Sequence, residues 1–195
     1  MLFRSWRNIH LALERGLRVK VNMVVMRGVN DDEVLRFVEL TRDHSVHVRF
    51  IEFMPFAGNK WGRERVYTYG EMLGHIGSVH SFTKLQDDPH STAKSYRVDG
   101  WSGTFAVIST VTEPFCGTCD RLRLTAEGKM RNCLFAREET DLLTPLRNGE
   151  DVAPLIEANV LGKHLMLGGL PPFKPEAEEQ VLKDLSERPM VSIGG

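Results

Sequence analysis

Two runs of β-branched and aromatic residues in the first third of the chain predict buried strands. They cover residues 19–26 (VKVNMVVM) and 46–53 (VHVRFIEF), and near-continuous apolar runs of this length are typical of a parallel sheet. Apolar residues recur at helical spacing over residues 5–15 and 32–41, which predicts one helix before each strand. This alternation of helix and strand indicates an α/β fold with crossover helices.

The rest of the chain changes pattern and predicts shorter elements. A loop over residues 56–69 contains two glycines and separates the two patterns. We expect helices and strands to follow it over these ranges: helices 69–76, 138–146, 151–160 and 176–187, and strands 79–85, 95–98, 104–109, 121–125 and 130–135. Pro145 is expected to interrupt the helix in which it lies.

Polar residues interrupt the two long strands. Lys20 and Asn22 lie two residues apart and therefore point to one face of the first strand. Arg49 and Glu52 lie in the second strand. Polar residues near the C-terminal ends of strands line the active site of an α/β barrel, or these groups form structural ion pairs with one another; the pattern leaves both interpretations open.

All three cysteines lie in one stretch of twenty residues, FCGTCDRLRLTAEGKMRNCL. Cys116 and Cys119 are separated by two residues in a predicted turn, and a hairpin would return Cys133 to the same level. Three thiolates suit a zinc site completed by a histidine such as His164. They equally suit a four-iron cluster with one iron open to a substrate. A structural disulfide is disfavoured by the odd number of cysteines.

Two arginines follow the second cysteine. Arg121 and Arg123 alternate along a predicted strand and share one face beside the cysteines. The planar fork of an arginine binds phosphate or a base edge. The alternative is cross-strand pairing with Glu127 or Asp120.

Composition excludes several classes of protein. The 195 residues carry a net charge of −1, so that bulk binding to nucleic acid or to a membrane surface is not indicated. No apolar run approaches the ~20 residues of a membrane span. An anion site, if present, must be local.

Several segments of this sequence resemble one known family, the GTP 3′,8-cyclases (MoaA family) of molybdenum cofactor biosynthesis. The cysteine stretch matches the family pattern FCxxCxRxRLTxxGxxxxCLF from Phe115 to Phe135. Further similar segments are KVN at 20–22 (preceded by Val19), VVMRGVNDD at 24–32, RFIEFMPFAGNKW at 49–61, STAK at 91–94 and the terminal Gly194–Gly195.

The resemblance implies a fold and a set of roles. The fold would be part of a (βα) radical-SAM barrel of the TIM type over residues 1–62, followed over 63–195 by an α+β C-terminal domain that binds an iron–sulfur cluster and GTP. The implied residues are the ligands of a [4Fe-4S] cluster (Cys116, Cys119 and Cys133), the GTP contacts (Lys20, Arg121, Leu122 and Arg123), the S-adenosylmethionine contact (Met54) and further active-site positions (Arg49, Gly194 and Gly195). The family implies a cytoplasmic enzyme, or a mitochondrial one in a eukaryote, that can form homodimers.

One family feature is absent from the sequence. The radical reaction needs a second cluster held by CxxxCxxC, and no such motif occurs among the 195 residues. We therefore expect the chain alone to be inactive and to need the N-terminal radical-SAM half. Two further hypotheses remain, a zinc-stabilised module and a GTP-binding partner without turnover.

Overall fold

The computed structural model describes residues 2–185 and 188–193, which form two compact units. The first unit contains residues 1–53 and 64–113, and the second contains residues 54–63 and 114–195. The contacts thus divide the chain differently from the predicted boundary after residue 62, because strands beyond residue 90 complete the sheet of the first unit. The division by family domain stays a prediction.

The first unit is built on a five-stranded mixed sheet. Its strands, in chain order, are β1 (Val19–Val25), β2 (Val46–Glu52), β3 (Phe82–Lys84), β4 (Lys94–Val98) and β5 (Thr104–Ile108). In space the order is β1-β2-β5-β4-β3; β1, β2 and β5 run parallel, whereas β4 and β3 add antiparallel pairs. The predicted α/β class and the parallel pairing of the first two strands are confirmed.

Helices cover one face of this sheet. The helices of the unit are α1 (Leu2–Glu14), α2 (Val34–Glu39) and α3 (Tyr69–Gly77), with a 3₁₀ turn over Asp31–Glu33. Residues of both α2 and α3 pack with the buried positions of the strands, and the core contains Val25, Val34, Val38, Val48, Phe50, Met72, Ile76, Phe105 and Val107. Burial of these side chains is the main stabilisation of the unit.

The second unit is built from short elements. Its small antiparallel sheet has the order β6 (Arg123–Leu124), β7 (Lys129–Arg131) and β8 (Thr140–Asp141). Its helices are α4 (Leu143–Arg147), α5 (Ala153–Leu161) and α6 (Glu178–Asp184). Four aromatic residues pack together in its interior, with ring centroids 5.5–6.0 Å apart: Phe56, Trp61, Phe135 and Phe173.

The prediction of a helix over residues 138–146 is wrong. Strand β8 occupies part of that range, and α4 begins only at Leu143. Asp141 Oδ1 accepts the backbone N–H groups of Leu143 and Thr144, at 3.0 and 3.2 Å. This places Pro145 in the first turn of α4, where its missing N–H costs nothing. The predicted hairpin strands are also longer than β6 and β7.

Candidate functional site

The first two cysteines lie in a tight turn, as their spacing predicts. Residues Cys116–Thr118 form one turn of 3₁₀ helix, and the N–H of Cys119 donates to Cys116 O at 3.2 Å. Gly117 has open space where a side chain would stand. Both cysteines are half-buried and neither forms a disulfide.

A hairpin follows and leads to the third cysteine. Arg123 of β6 is paired with Arg131 of β7, and Gly128 with φ 74° makes the turn between the strands. Cys133 comes two residues after β7 ends. Because β6 and β7 are antiparallel, the chain runs back along the hairpin towards the CxxC turn before it reaches Cys133.

Electrostatics link the three thiols. Burial raises the pKa of Cys133 most; the neighbouring Cys116 and Cys119 raise it further, whereas the N–H of Phe135 and the ammonium of Lys163 act in the opposite direction. The effect of Cys116 and Cys119 on the pKa of Cys133 is consistent with the return of the hairpin towards the CxxC turn. No group of three His, Cys, Asp or Glu side chains in the described part of the chain is arranged around a single metal ion. Each cysteine of a cubane cluster binds a different iron, so that this finding concerns a single-ion site.

The predicted arginines lie in the same neighbourhood. Burial lowers the pKa of Arg123 most, Arg121 lowers it further, and Cys133 and Cys119 raise it. Arg123 is half-buried, whereas Arg121 is exposed and its guanidinium carbon lies 5.8 Å from the centre of the Phe115 ring. The structure thus brings Arg123 close to the cysteines, as the sequence predicts. The side chain of Leu122 is 44% exposed.

A buried arginine lies beside the third cysteine, and the sequence does not reveal it. The Arg131 side chain is 0% exposed. Its Nη2 donates to Ala136 O and its Nη1 forms an ion pair with Glu139 at 3.5 Å, but Nε and Nη1 have no hydrogen-bond partner. Burial lowers the pKa of Arg131 most, while Glu139 and Cys133 raise it. Donor capacity therefore remains beside Cys133 that a negatively charged group could use.

Two contacts on the sulfurs come from a distant segment. Lys163 Nζ lies 3.6 Å from Cys119 Sγ, and the backbone N–H of Leu167 donates to Cys116 Sγ at 3.4 Å. Sequence reasoning missed both residues. A lysine after a helix carries no signal of its own, and a backbone donor leaves no trace in the sequence.

In the first unit, a polar face of the sheet carries the remaining predicted cations. Lys20 is paired with His47, and Asn22 with Arg49, on the neighbouring strands β1 and β2. His47 Nδ1 lies 2.7 Å from Thr104 Oγ1. Burial lowers the pKa of His47 most, followed by Arg49 and Lys20. Arg49 Nε is buried and has no hydrogen-bond partner.

Glu52 does not belong to this polar face. It is fully buried on the opposite side of β2 and binds Tyr69, Val111 and Thr112. An ion pair of Glu52 with Lys20 or Arg49 is therefore excluded by strand alternation.

Two further predictions have different outcomes. Met54 begins a loop in the second unit, where its carbonyl oxygen accepts Asn59 Nδ2 at 2.8 Å. Its predicted role in cofactor binding stays a prediction. Gly194 and Gly195 lie outside the described residues.

Comparison with known proteins identifies the family. A model of the family described as Molybdenum Cofactor Synthesis C matches residues 46–164. The chain belongs to this family. It is 42% identical over 196 residues to the mitochondrial GTP 3′,8-cyclase of Arabidopsis thaliana, covering 98% of this chain and 48% of that protein.

Two other relatives are similar. One is molybdenum cofactor biosynthesis protein 1 of Drosophila melanogaster, 46% identical over 160 residues, which cover 80% of this chain and 28% of that protein. The other is the GTP 3′,8-cyclase of Syntrophomonas wolfei, 42% identical over 144 residues, which cover 72% and 44%. The chain thus spans half or less of the length of these relatives. Among the described residues, no helix has the length and apolar character needed to cross a bilayer.

Proposed function

We propose that this chain provides the C-terminal part of a GTP 3′,8-cyclase and binds a [4Fe-4S] cluster and GTP. Membership of the Molybdenum Cofactor Synthesis C family and the names of the relatives support this assignment. The observation that carries it is the placement of Cys116 and Cys119 in one tight turn, with Cys133 two residues after the hairpin that follows and with donors from residues 163 and 167 on the first two sulfurs.

The chemistry of the donors fits such a cluster. The three sulfurs would hold three irons, and the positive charge of Lys163 and Arg131 would offset the negative charge of the loaded site. When bound, the cluster would supply one iron without a protein ligand, at which the base of GTP could bind. Nε and Nη1 of Arg131 have no hydrogen-bond partner, and they would suit an anionic group near Cys133.

The zinc-module hypothesis gains no support from the geometry. A structural zinc ion needs four ligands in a tetrahedral arrangement. His164 is exposed, and its ring lies 3.1–3.2 Å from the position that a side chain on Gly169 would take. Within the described residues, His164 forms no ligand group with two of the cysteines.

The GTP contacts would come mainly from the two arginines that follow the second cysteine. Arg121 and Arg123 would bind phosphate oxygens or the base through their guanidinium forks, with Leu122 between them. The roles of Lys20 in GTP binding and of Arg49 at the active site stay predictions; both residues lie on the polar face of the sheet in the first unit. Glu127, the alternative partner of the arginines, forms an ion pair with Arg188 at 2.5 Å.

The complete reaction would need a further cluster. Formation of the radical from S-adenosylmethionine, with Met54 as a contact, would require a polypeptide that supplies CxxxCxxC. We therefore propose that the 195-residue chain binds GTP without turnover until that part is added.

Metal and sulfide analysis of the chain purified without oxygen tests the proposal. We expect about four irons and four sulfides per chain, and loss of most of both in Cys133→Ser, because a cubane with only two thiolates is poorly held. Ser45→Ala, an exposed position in the first unit, is the control and should keep the full content. One zinc per chain without sulfide would refute the cluster and favour the zinc module.

GTP binding tests the second part. We expect Arg121→Ala and Arg123→Ala each to weaken binding about 10- to 100-fold, the loss of one charge-assisted hydrogen bond. Arg97→Ala, an exposed arginine on β4, should leave the affinity unchanged. Equal affinities in all four proteins would place GTP elsewhere.

A further inference from the structure

Lys163 makes three contacts with the segment that carries the CxxC motif. Its Nζ donates to the carbonyl oxygens of Cys119 at 2.8 Å and Arg121 at 3.1 Å, and it lies 3.6 Å from Cys119 Sγ. An ammonium group has three hydrogens to donate. All three are therefore directed at one short stretch of backbone and one sulfur.

The position of Lys163 is itself fixed. It follows α5, and the helix end continues in two turns that close with Gly162 N donating to Ala158 O at 2.9 Å and Lys163 N donating to Val160 O at 3.2 Å. Four residues later, Leu167 N donates to Cys116 Sγ. One segment of the chain therefore contacts both cysteines of the CxxC turn.

Resting on the proposed function, we propose that Lys163 is a positioning residue for the cysteine site. It holds the backbone from Cys119 to Arg121 in place, and it puts a permanent positive charge beside the sulfur of Cys119. The first effect fixes the backbone position of Arg121, from which its side chain extends. The second effect favours the state of the site with more negative charge.

The charge predicts a change in reduction potential. Reduction adds one electron to the loaded site, and a cation at 3.6 Å from a ligand sulfur stabilises the reduced state more than the oxidised one. Hydrogen bonds and charge around the sulfurs are among the factors that set such potentials. Removal of the charge should therefore lower the ratio of reduced to oxidised site at a fixed potential.

The experiment compares Lys163→Met and Lys163→Arg with the unchanged chain. Methionine keeps the length and loses the charge, whereas arginine keeps the charge. The matched control is Lys183→Met, since Lys183 is a 64% exposed lysine of α6 that forms an ion pair with Glu179 at 2.7 Å. Each loaded protein is titrated with a reductant and followed by electron paramagnetic resonance, and each metal-free protein is followed by hydrogen exchange of residues 116–123.

We expect about a tenfold fall in the reduced-to-oxidised ratio in Lys163→Met, which corresponds to about 59 mV for one electron. Lys163→Arg should keep most of the reduced-to-oxidised ratio of the unchanged chain, and Lys183→Met should keep all of it. Faster exchange of residues 116–123 in metal-free Lys163→Met is expected as well. If the methionine variant loses iron while the arginine variant keeps it, the requirement for the charge is supported.

The inference is overturned if Lys163→Met changes neither the potential nor the exchange. Loss of iron in both variants would overturn the role of the charge, because the arginine keeps it. If the unchanged chain takes up no iron at all, the proposed function fails. The exchange measurement on the metal-free chain then decides by itself whether Lys163 positions the backbone.

Discussion

The buried carboxylate of Glu52 gives the sharpest test of how the first unit is held together. Its side chain is fully buried at the end of β2. Oε1 accepts the N–H of Tyr69 at 2.8 Å and the hydroxyl of Thr112, while Oε2 accepts the N–H groups of Val111 and Thr112 at 2.7 and 2.9 Å. One carboxylate therefore joins β2 to the start of α3 and to the loop after β5.

Glu52→Gln should destabilise the unit by about 3–5 kcal/mol. Glutamine has one acceptor oxygen, so that in either orientation two donors face an NH₂ group. Each lost hydrogen bond to a charged group costs about 1.5–3 kcal/mol, and the buried donors stay without partners. Thr112→Val removes one donor of the four and should cost about 1.5–3 kcal/mol.

Hydrogen exchange of peptides covering residues 104–113 measures this loss of stability in the first unit alone. A change of about 3 kcal/mol corresponds to more than 100-fold faster exchange, since each 1.4 kcal/mol is a factor of about ten. Glu113→Gln is the matched control, because Glu113 is 55% exposed and pairs with Lys94 at the surface, where such pairs contribute about 0–1 kcal/mol. Exchange within threefold of the unchanged chain in Glu52→Gln would show that the four hydrogen bonds do not hold the loop.

Other predictions concern the same unit. Burial would raise the pKa of Glu71, but the hydrogen bonds from Arg27 and Thr68 outweigh it and lower the pKa from 4.5 to about 2; the stability that this carboxylate contributes should be complete above pH 4.5 and lost as the pH falls towards 2. Thermal unfolding between pH 2 and pH 6 should show a smaller loss on acidification in Glu71→Gln, and an unchanged pH profile would contradict the assignment. Gly103→Ala should destabilise the unit by about 1–3 kcal/mol or more, because its Cβ would meet two backbone carbonyl oxygens at 2.4 and 2.6 Å. Gly74→Ala, an exposed helix position with open space, should instead stabilise by about 1 kcal/mol; equal melting temperatures for the two variants would refute both.

The fold of the first unit is predictable where the signal is local. The strand at 19–26 and the helix beginning near Tyr69 follow from β-branched residues and helical periodicity. Thr68 and Glu71 also form a capping box, with Thr68 Oγ1 accepting Glu71 N and Glu71 Oε2 accepting Thr68 N. The T-x-x-E spacing that signals it is visible in the sequence.

The errors lie where a side chain overrides periodicity. The apolar pattern of residues 138–146 fits a helix, yet Asp141 captures two backbone N–H groups and starts α4 after itself. Thr140 and Asp141 itself then pair with β7 as a strand. Side-chain competition of this kind depends on the tertiary position of the backbone, and periodicity does not encode it.

The cysteine site divides in the same way. The spacing of the first two cysteines is local, and it predicted the CxxC turn correctly. The groups around the sulfurs come from 44 and 51 residues further along the chain, and only the fold brings them there.

Helix α5 connects the two halves of the cysteine site. Two residues after the helix, Lys163 donates to the carbonyl oxygen of Cys119. Within the helix, Asn159 O accepts a hydrogen bond from Nδ2 of Asn132, the residue before Cys133, at 2.8 Å. Asn159 Nδ2 in turn donates to Thr140 Oγ1 at 2.7 Å, which ties the helix to β8. A displacement of α5 would therefore move both the CxxC turn and the third cysteine. The packing of α5 therefore sets the arrangement of the three thiols as much as the spacing of the cysteines does.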